Sequence, residues 1–519
     1  MLRVGSVRRA ITAALAAIIL VPSFGTAWSA RTPSFNSHID PSLSAGEVAL
    51  VQTTAGHAGA LSLRLAELGA VDVETDSAVD MVIARLSAPA LAAIAADRTV
   101  ITATRDTAIV ATGDRTNNWL GFEDDAPVAT SGTSAFATSL LAIRAPYAWT
   151  RTTGAGVTVA ILDTGIADHP DLGKRKVKAR VDFVRDGNTA QDPGGHGTFI
   201  AGVIAANGQM KGVAPDADLV SLRVLDANGN GTVANVVGAF DWLLKNGRRY
   251  HVNVVNLSWG SPQATTYHKD ILSALVESLW FDGMTVVAAA GNGGPTAGTV
   301  TAPGADPFVV TVGSLSDQGT TAFSDDREST FSGRGPTLDG FAKPDTLAPG
   351  EHVQSLRVGG VTYLDSHGLP AGEATDVYVR MTGTSASAAF VSGVAALVAS
   401  EHGRFSPTQT KGAIVASGRA VTGSSTKAVD AALALSRTST VNAGLRPSSL
   451  LLQALITSRA LRLKGVTWEG VTWDGVTWDG VTWDGITWEA VNWKSVSWES
   501  VSWETITWEG VTWAKVIAK

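Results

Sequence analysis

The sequence predicts an α/β protein built on a mainly parallel sheet, and two features indicate this. Residues 157–162 form an apolar, β-branched run that is long enough for a strand buried on both faces. The run ends at Asp163, so a carboxylate is expected at the carboxyl end of a strand, where open α/β sheets place their sites. Small-residue helices, suited to close packing on a sheet, are predicted after His196 (199–205) and after Ser385 (388–400).

Three short motifs carry an acid, a histidine and a serine in that chain order. They read ILDTG at 161–165, GHGT at 195–198 and GTSAS at 383–387. A serine hydroxyl attacks a carbonyl when a histidine takes its proton and an acid holds that histidine in the correct tautomer. The order differs from those of the chymotrypsin-like and α/β-hydrolase enzymes. With these motifs the chain resembles the subtilisin-like (subtilase) serine endopeptidases.

The resemblance implies a subtilisin-like three-layer fold and a role for each motif residue. Ser385 corresponds to the nucleophile, His196 to the general base and acid, and Asp163 to the orienting acid. The segment VVAAAGN at 286–292 resembles the part of the family whose asparagine donates to the developing oxyanion. Asn292 is therefore expected to be that donor, with the Ser385 amide as the second.

Two further segments resemble the edges that bind substrate in this family. VNLSWG at 255–260 is similar to a wall of the first specificity pocket, and GNG at 229–231 to the opposite edge. An extended peptide between them would be bound as an added strand. The residues expected to contact it are Ser258, Trp259, Gly260, Gly229, Asn230 and Gly231.

Each motif alone is weak, since GTSA occurs a second time at 132–135. Ser134 is rejected as nucleophile because it precedes the acid and histidine motifs. Trp259 stands where the family often has a smaller aliphatic residue, which predicts narrowed or aromatic-floored pockets. The short segment after His196 lacks the family's calcium-binding loop, so no cofactor is expected. Calcium binding elsewhere is left open, but no site can be assigned to it.

The chain also predicts export and several domains. Residues 1–30 read as a signal peptide, with three arginines before a short apolar stretch; a membrane anchor is the less favoured alternative. Residues 45–110 follow a β-α-β-β-α-β order, a small ferredoxin-like α+β plan that resembles the subtilase propeptide, an inhibitor and folding chaperone. A linker with the processing site is predicted at 111–140, the catalytic domain at 141–437 and a second linker at 438–464.

Residues 465–514 are a tail of five-residue repeats, each with one tryptophan. Ten of the chain's 16 tryptophans lie here. On an α-helix, residues spaced five apart are rotated by about 140° from one to the next, so the tryptophans would not form a single apolar stripe. Short strands and turns are therefore predicted. The repeats hold eight acidic residues and one basic residue. Their net charge of −7 equals the formal net charge of the whole chain. That charge argues against nucleic acid as a partner.

Taken together, the residues predict a secreted, extracellular serine endopeptidase that is made as an autoprocessed zymogen. Its partners would be protein or peptide substrates. Two hypotheses fit the tail. It is either a module that binds cell-wall carbohydrate or self-associates, which would put the protein at the cell surface, or a compact β appendage that packs its own tryptophans. The alternative for the whole chain is a surface-binding or assembly protein that works through the repeats on a degenerate protease scaffold.

Overall fold

The computed structural model describes residues 38–54, 56–76, 80–112, 135–263, 265–361, 363–364, 369–370 and 377–451. All of these residues belong to one compact unit. The predicted signal peptide, Ser134 and the tryptophan repeats lie outside the described residues.

The N-terminal part folds into a small α+β layer with its own core. Strands lie in the order β1-β5-β2-β4-β3, and two helices pack on the sheet. The second helix begins where the Ser87 side chain accepts the Ala90 amide, with a proline in its first turn. From β2 onward the order is the predicted β-α-β-β-α-β. The elements are β1 (His38–Ile39), β2 (Val48–Thr53), α1 (Ala58–Glu67), β3 (Val71–Asp76), β4 (Met81–Arg85), α2 (Ala88–Ala96) and β5 (Val100–Arg105).

One difference from the sequence prediction concerns the last strand, which was expected over 100–110. The structure divides it after Arg105, and a separate strand, β6 (Ala108–Ala111), follows. Asp106 lies at the break, where its carboxylate accepts the amide of Ala234. This bond turns the chain from the small sheet towards the larger part of the molecule.

The larger part is built on an eight-stranded sheet in which all pairings but one are parallel. The central strand, β7, is buried along its whole length. It lies between β9 and β11, and all three are rich in valine, isoleucine and leucine because helices cover both faces of the sheet. The strands are β7 (Thr158–Asp163), β8 (Val177–Asp182), β9 (Asp218–Arg223), β11 (Val252–Leu257), β13 (Thr285–Ala289), β14 (Val310–Ser316), β15 (Arg327–Glu328) and β16 (Thr346–Pro349).

Two smaller sheets complete the strands. One joins β6 to β10 (Asn230–Thr232) and β12 (Trp259–Gly260). The other consists of β17 (Val353–Leu356), β18 (Leu369–Pro370) and β19 (Tyr378–Met381).

The two helices that follow the histidine and serine motifs start earlier than predicted. They span α5 (His196–Ala205) and α8 (Thr384–His402), so both motif residues lie within a first turn. Gly393 permits close packing, because a Cβ there would lie 2.5 Å from the Cβ of Val213. Among the described residues, α8 alone is long and apolar enough to cross a membrane, and most of it is buried in the domain core. The other helices are α3 (Ala135–Ala142), α4 (Ala145–Ala148), α6 (Val233–Asn246), α7 (Ile271–Asp282), α9 (Pro407–Ala416) and α10 (Ala431–Ala434).

Parts of both predicted linkers pack on this domain. Within 111–140, helix α3 buries Phe136, whose ring stacks on Phe390 at 5.7 Å. Within 438–464, the amide of Ser448 donates to both carboxylate oxygens of Glu277, at 2.9 and 2.8 Å, and Leu450 and Leu451 are buried. In the described parts of these small and polar segments, a few apolar side chains thus pack on the domain.

A buried carboxyl pair predicts how stability depends on pH. Burial raises the pKa of Asp306 to about 7 and raises that of its neighbour Glu277. The unfolded chain loses these protons near pH 4, whereas the folded chain keeps them, so the free energy of unfolding should fall as pH rises from about 4 to 7. We expect Asp306→Asn to reduce this pH-dependent loss in the free energy of unfolding by an amount on the order of 2 kcal/mol. Urea unfolding at pH 5 and pH 8 measures it, and an unchanged difference between the two pH values would contradict the prediction.

Candidate active site

The acid and the histidine of the first two motifs are in direct contact. Asp163 ends β7 and His196 begins α5, and the His196 Nδ1 lies 2.7 Å from the Asp163 Oδ1. Both side chains are fully buried, and the same Asp163 oxygen accepts the amide of Thr164 at 2.7 Å. A proton on Nδ1 that points to the carboxylate leaves Nε2 free to accept one. Within the described part of the chain, the buried Nε2 has no hydrogen-bond partner.

Asp192 is a buried carboxylate of this site that the sequence analysis missed. One of its oxygens accepts the Thr164 hydroxyl and the Gly195 amide, both at 2.7 Å. The other accepts the amide and hydroxyl of Thr198, at 2.8 and 2.6 Å. Burial raises the pKa of Asp192, and these four hydrogen bonds oppose the rise. The carboxylate thus joins the end of β7 to the first turn of α5 and fixes Asp163 relative to His196.

Ser385 lies in the first turn of α8 and is 2% exposed. Its carbonyl accepts the hydroxyl of Ser258 at 3.0 Å, and that hydroxyl accepts the side-chain amide of Asn256 at 2.8 Å. These bonds join the serine to the end of β11. The amides at a helix N-terminus favour negative charge close to the serine.

The Asn292 side chain is oriented by the residue before the serine. Its Oδ1 accepts the Thr384 amide at 3.0 Å and the Thr384 hydroxyl at 2.9 Å. The Nδ2 is therefore directed away from α8, and it donates to the carbonyl of Thr112 at 2.9 Å. The predicted oxyanion donor is thus held beside the serine motif, against a peptide carbonyl. A bond from the Ser385 amide to that carbonyl stays a prediction.

The cleft between the two predicted substrate edges holds strand β6 of the same chain. It runs antiparallel to β10 on one side and to β12 on the other. The Ala111 amide donates to the Gly229 carbonyl at 2.9 Å, and the Thr112 amide to the Ser258 carbonyl at 3.1 Å. This segment of the chain therefore fills the cleft as an added strand, and binding of a separate peptide in the same way stays a prediction.

The remaining predicted substrate residues also lie along β6. Asn230 and Gly260 are the register partners of Val110, Gly231 pairs with Ile109 and Trp259 with Ala111; the indole of Trp259 is fully buried. Glycine is required at 231, because a Cβ there would lie 2.2 Å from the carbonyl oxygen of Val224.

A buried carboxylate holds the short segment that follows α5. The Asp171 carboxylate accepts the amides of Gln209 and Met210 at 3.0 and 2.9 Å, and the Tyr378 hydroxyl at 2.7 Å. Burial and this carboxylate raise the pKa of Tyr378 to about 12. In the described ranges, no three histidine, aspartate or glutamate side chains are grouped as a metal site requires. The prediction that the protein needs no cofactor stays a prediction.

Comparison with known proteins identifies the family. The peptidase S8 subtilase family model matches residues 154–436, more than half of the chain. The serine protease AprX of Bacillus subtilis (strain 168) is 36% identical over 269 residues, which cover 50% of this chain and 60% of AprX. Subtilisin Savinase of Lederbergia lenta is 36% identical over 273 residues, 52% of this chain and 86% of that protein. The chain thus spans less than two thirds of AprX. It belongs to the subtilase family, as its motifs indicated.

Proposed function

We propose that the protein is a serine endopeptidase that cleaves protein or peptide substrates through an acyl-enzyme. One observation carries the proposal: the Thr112 carbonyl, at the end of an extended peptide, accepts the Asn292 side-chain amide beside the serine motif. Membership of the subtilase family and the Asp163–His196 contact support it. An alcohol, a base and an oriented acid beside a bound carbonyl are the requirements of acyl transfer.

In the proposed reaction, Ser385 attacks the carbonyl carbon while His196 Nε2 takes the hydroxyl proton. The Asp163 carboxylate stabilises the resulting imidazolium through Nδ1. The Asn292 amide donates to the oxygen as its charge grows, with the Ser385 amide as the second donor. His196 then passes the proton to the leaving amine, and water repeats the sequence on the acyl-enzyme.

We further propose that the first substrate is the chain itself, at the Thr112–Gly113 bond. The register of β6 supports this bond, since Thr112 is the residue whose carbonyl meets Asn292. After cleavage, β6 would stay bound as a product strand, so the N-terminal α+β layer would act as the inhibitor and chaperone of a zymogen. The signal peptide predicted at 1–30 supports secretion.

We expect Asn292→Ala to lower kcat about a hundredfold with little change in KM, because the donor stabilises charge that exists mainly in the transition state. Steady-state kinetics on a peptide anilide measures this. Asn188→Ala, at an exposed loop position, is the matched control and should match the wild type. A loss that falls entirely on KM would contradict the role.

The tail supports a second candidate function. We propose that the tryptophan repeats attach the enzyme to cell-wall carbohydrate, supported by their five-residue period and aromatic content. A truncation to test this should end after Leu451, because Ser448 and Leu451 pack on the catalytic domain. We expect peptide hydrolysis to persist and retention on purified cell walls to be lost.

Other outcomes of that truncation are equally informative. Retention that is unchanged, with a fall in oligomer size on gel filtration, would replace the carbohydrate proposal by self-association. Loss of folding would show that the repeats pack on the domain. A full-length chain that binds walls and leaves casein intact would favour the degenerate-scaffold alternative.

A further inference from the structure

Val361 and the pair Tyr363–Leu364 lie beside the loop that precedes His196. The amide of Leu364 donates to the carbonyl of Gly194 at 3.0 Å. A Cβ on Gly195 would lie 2.7 Å from Val361 and 2.9 Å from Leu364, and both of these side chains are buried. Val361 and Leu364 are therefore packed against the loop before the histidine.

Tyr363 lies between the histidine and the bound strand. It is 1% exposed, and its ring meets the His196 ring edge-on, with centroids 5.3 Å apart at 79°. A Cβ on Gly229 would lie 2.8 Å from two Tyr363 ring carbons and 3.2 Å from the Ala111 Cβ. The tyrosine ring and the Ala111 methyl group thus surround one small space, and Ala111 is 2% exposed.

We propose that Tyr363 determines substrate specificity by closing the pocket for the residue that precedes the cleaved residue. In the bound strand that residue is Ala111, directly before Thr112. A larger side chain there would have to displace the tyrosine ring or the Gly229 main chain, and both are packed. The neighbouring position, Val110, is only half-buried and should accept many side chains. The inference rests on the proposed endopeptidase function and deepens it by defining the substrate class.

Peptide anilides test the pocket directly. The wild type should hydrolyse Ile-Val-Ala-Thr-p-nitroanilide about 10- to 100-fold better, in kcat/KM, than the same peptide with leucine in place of alanine. Tyr363→Ala should reduce this ratio to less than about fivefold, mainly by improving the leucine peptide. Tyr363→Phe keeps the ring and should keep the ratio. The same ratio in Tyr363→Ala as in the wild type would overturn the proposal.

A second measurement does not depend on hydrolysis. In the Ser385→Ala chain, β6 stays attached, and the amides of residues 111 and 112 should be protected from hydrogen exchange by their bonds to Gly229 and Ser258. Ala111→Leu should remove much of this protection, and adding Tyr363→Ala, or Tyr363→Leu if alanine destabilises the fold, should restore it. Loss of protection without restoration would overturn the proposal. If the wild type cleaves neither peptide nor itself, the proposed function fails, while this measurement still decides the role of Tyr363.

Discussion

Ser385→Ala is expected to leave the chain as an uncleaved precursor and to abolish peptide hydrolysis. Alanine has no hydroxyl to form the acyl-enzyme, while the small change should leave the buried first turn of α8 intact. Removing the nucleophile of a serine, histidine and acid triad costs about 10⁶-fold in kcat, and we expect a loss of that order here. Mass spectrometry of the purified protein measures the processing, and anilide hydrolysis measures the rate.

The matched control is Ser134→Ala, which alters the second GTSA motif. It should mature like the wild type, and both should show a new N-terminus at Gly113, since Thr112 is the residue whose carbonyl Asn292 binds. Normal processing of the Ser385 variant in a host without proteases would refute the assignment of the nucleophile. Cleavage of the wild type at another bond would refute only the predicted cleavage between Thr112 and Gly113.

The residues of the three motifs could be predicted from sequence because each sits in a local pattern that also specifies its backbone. An apolar run that ends in Asp163 predicts a strand end, and the small residues after His196 and Ser385 predict closely packed helices. The role expected for Asn292 came instead from the resemblance of residues 286–292 to the family segment, and its side chain lies against Thr384. Local pattern and tertiary structure agree at these positions.

The parts that were missed depend on contacts between residues distant in sequence. Tyr363 meets His196 from a turn that follows another strand, and no periodic pattern marks it. The alternation of residues 100–110 indicates a strand but cannot show that its last residues pair with β10 and β12. Asp192, in a glycine-rich loop, reads as a solvated residue until its four donors are placed around it.

The packing of the two predicted linkers escapes sequence composition for a related reason. Composition marks 111–140 and 438–464 as linkers, since both are rich in small and polar residues. Burial of a few apolar side chains, such as Phe136 and Leu451, outweighs that composition once the domain offers a matching surface. The Ser448 amide, which donates to both carboxylate oxygens of Glu277, adds a polar contact between this segment and the domain.

Asp163→Ala is expected to lower kcat about 10⁴-fold, the second largest effect. The change removes the acceptor that lies 2.7 Å from His196 Nδ1 and the negative charge that stabilises the imidazolium. It leaves Ser385 and Asn292 in place, so KM should change little. The measurement is kcat on a peptide anilide, with active sites counted by a serine-reactive phosphonate. Asp168→Ala removes an exposed carboxylate five residues later and is the matched control, with kcat expected at the wild-type value. A tenfold or smaller loss in Asp163→Ala would mean that another group, with Asp192 the first candidate, orients the histidine.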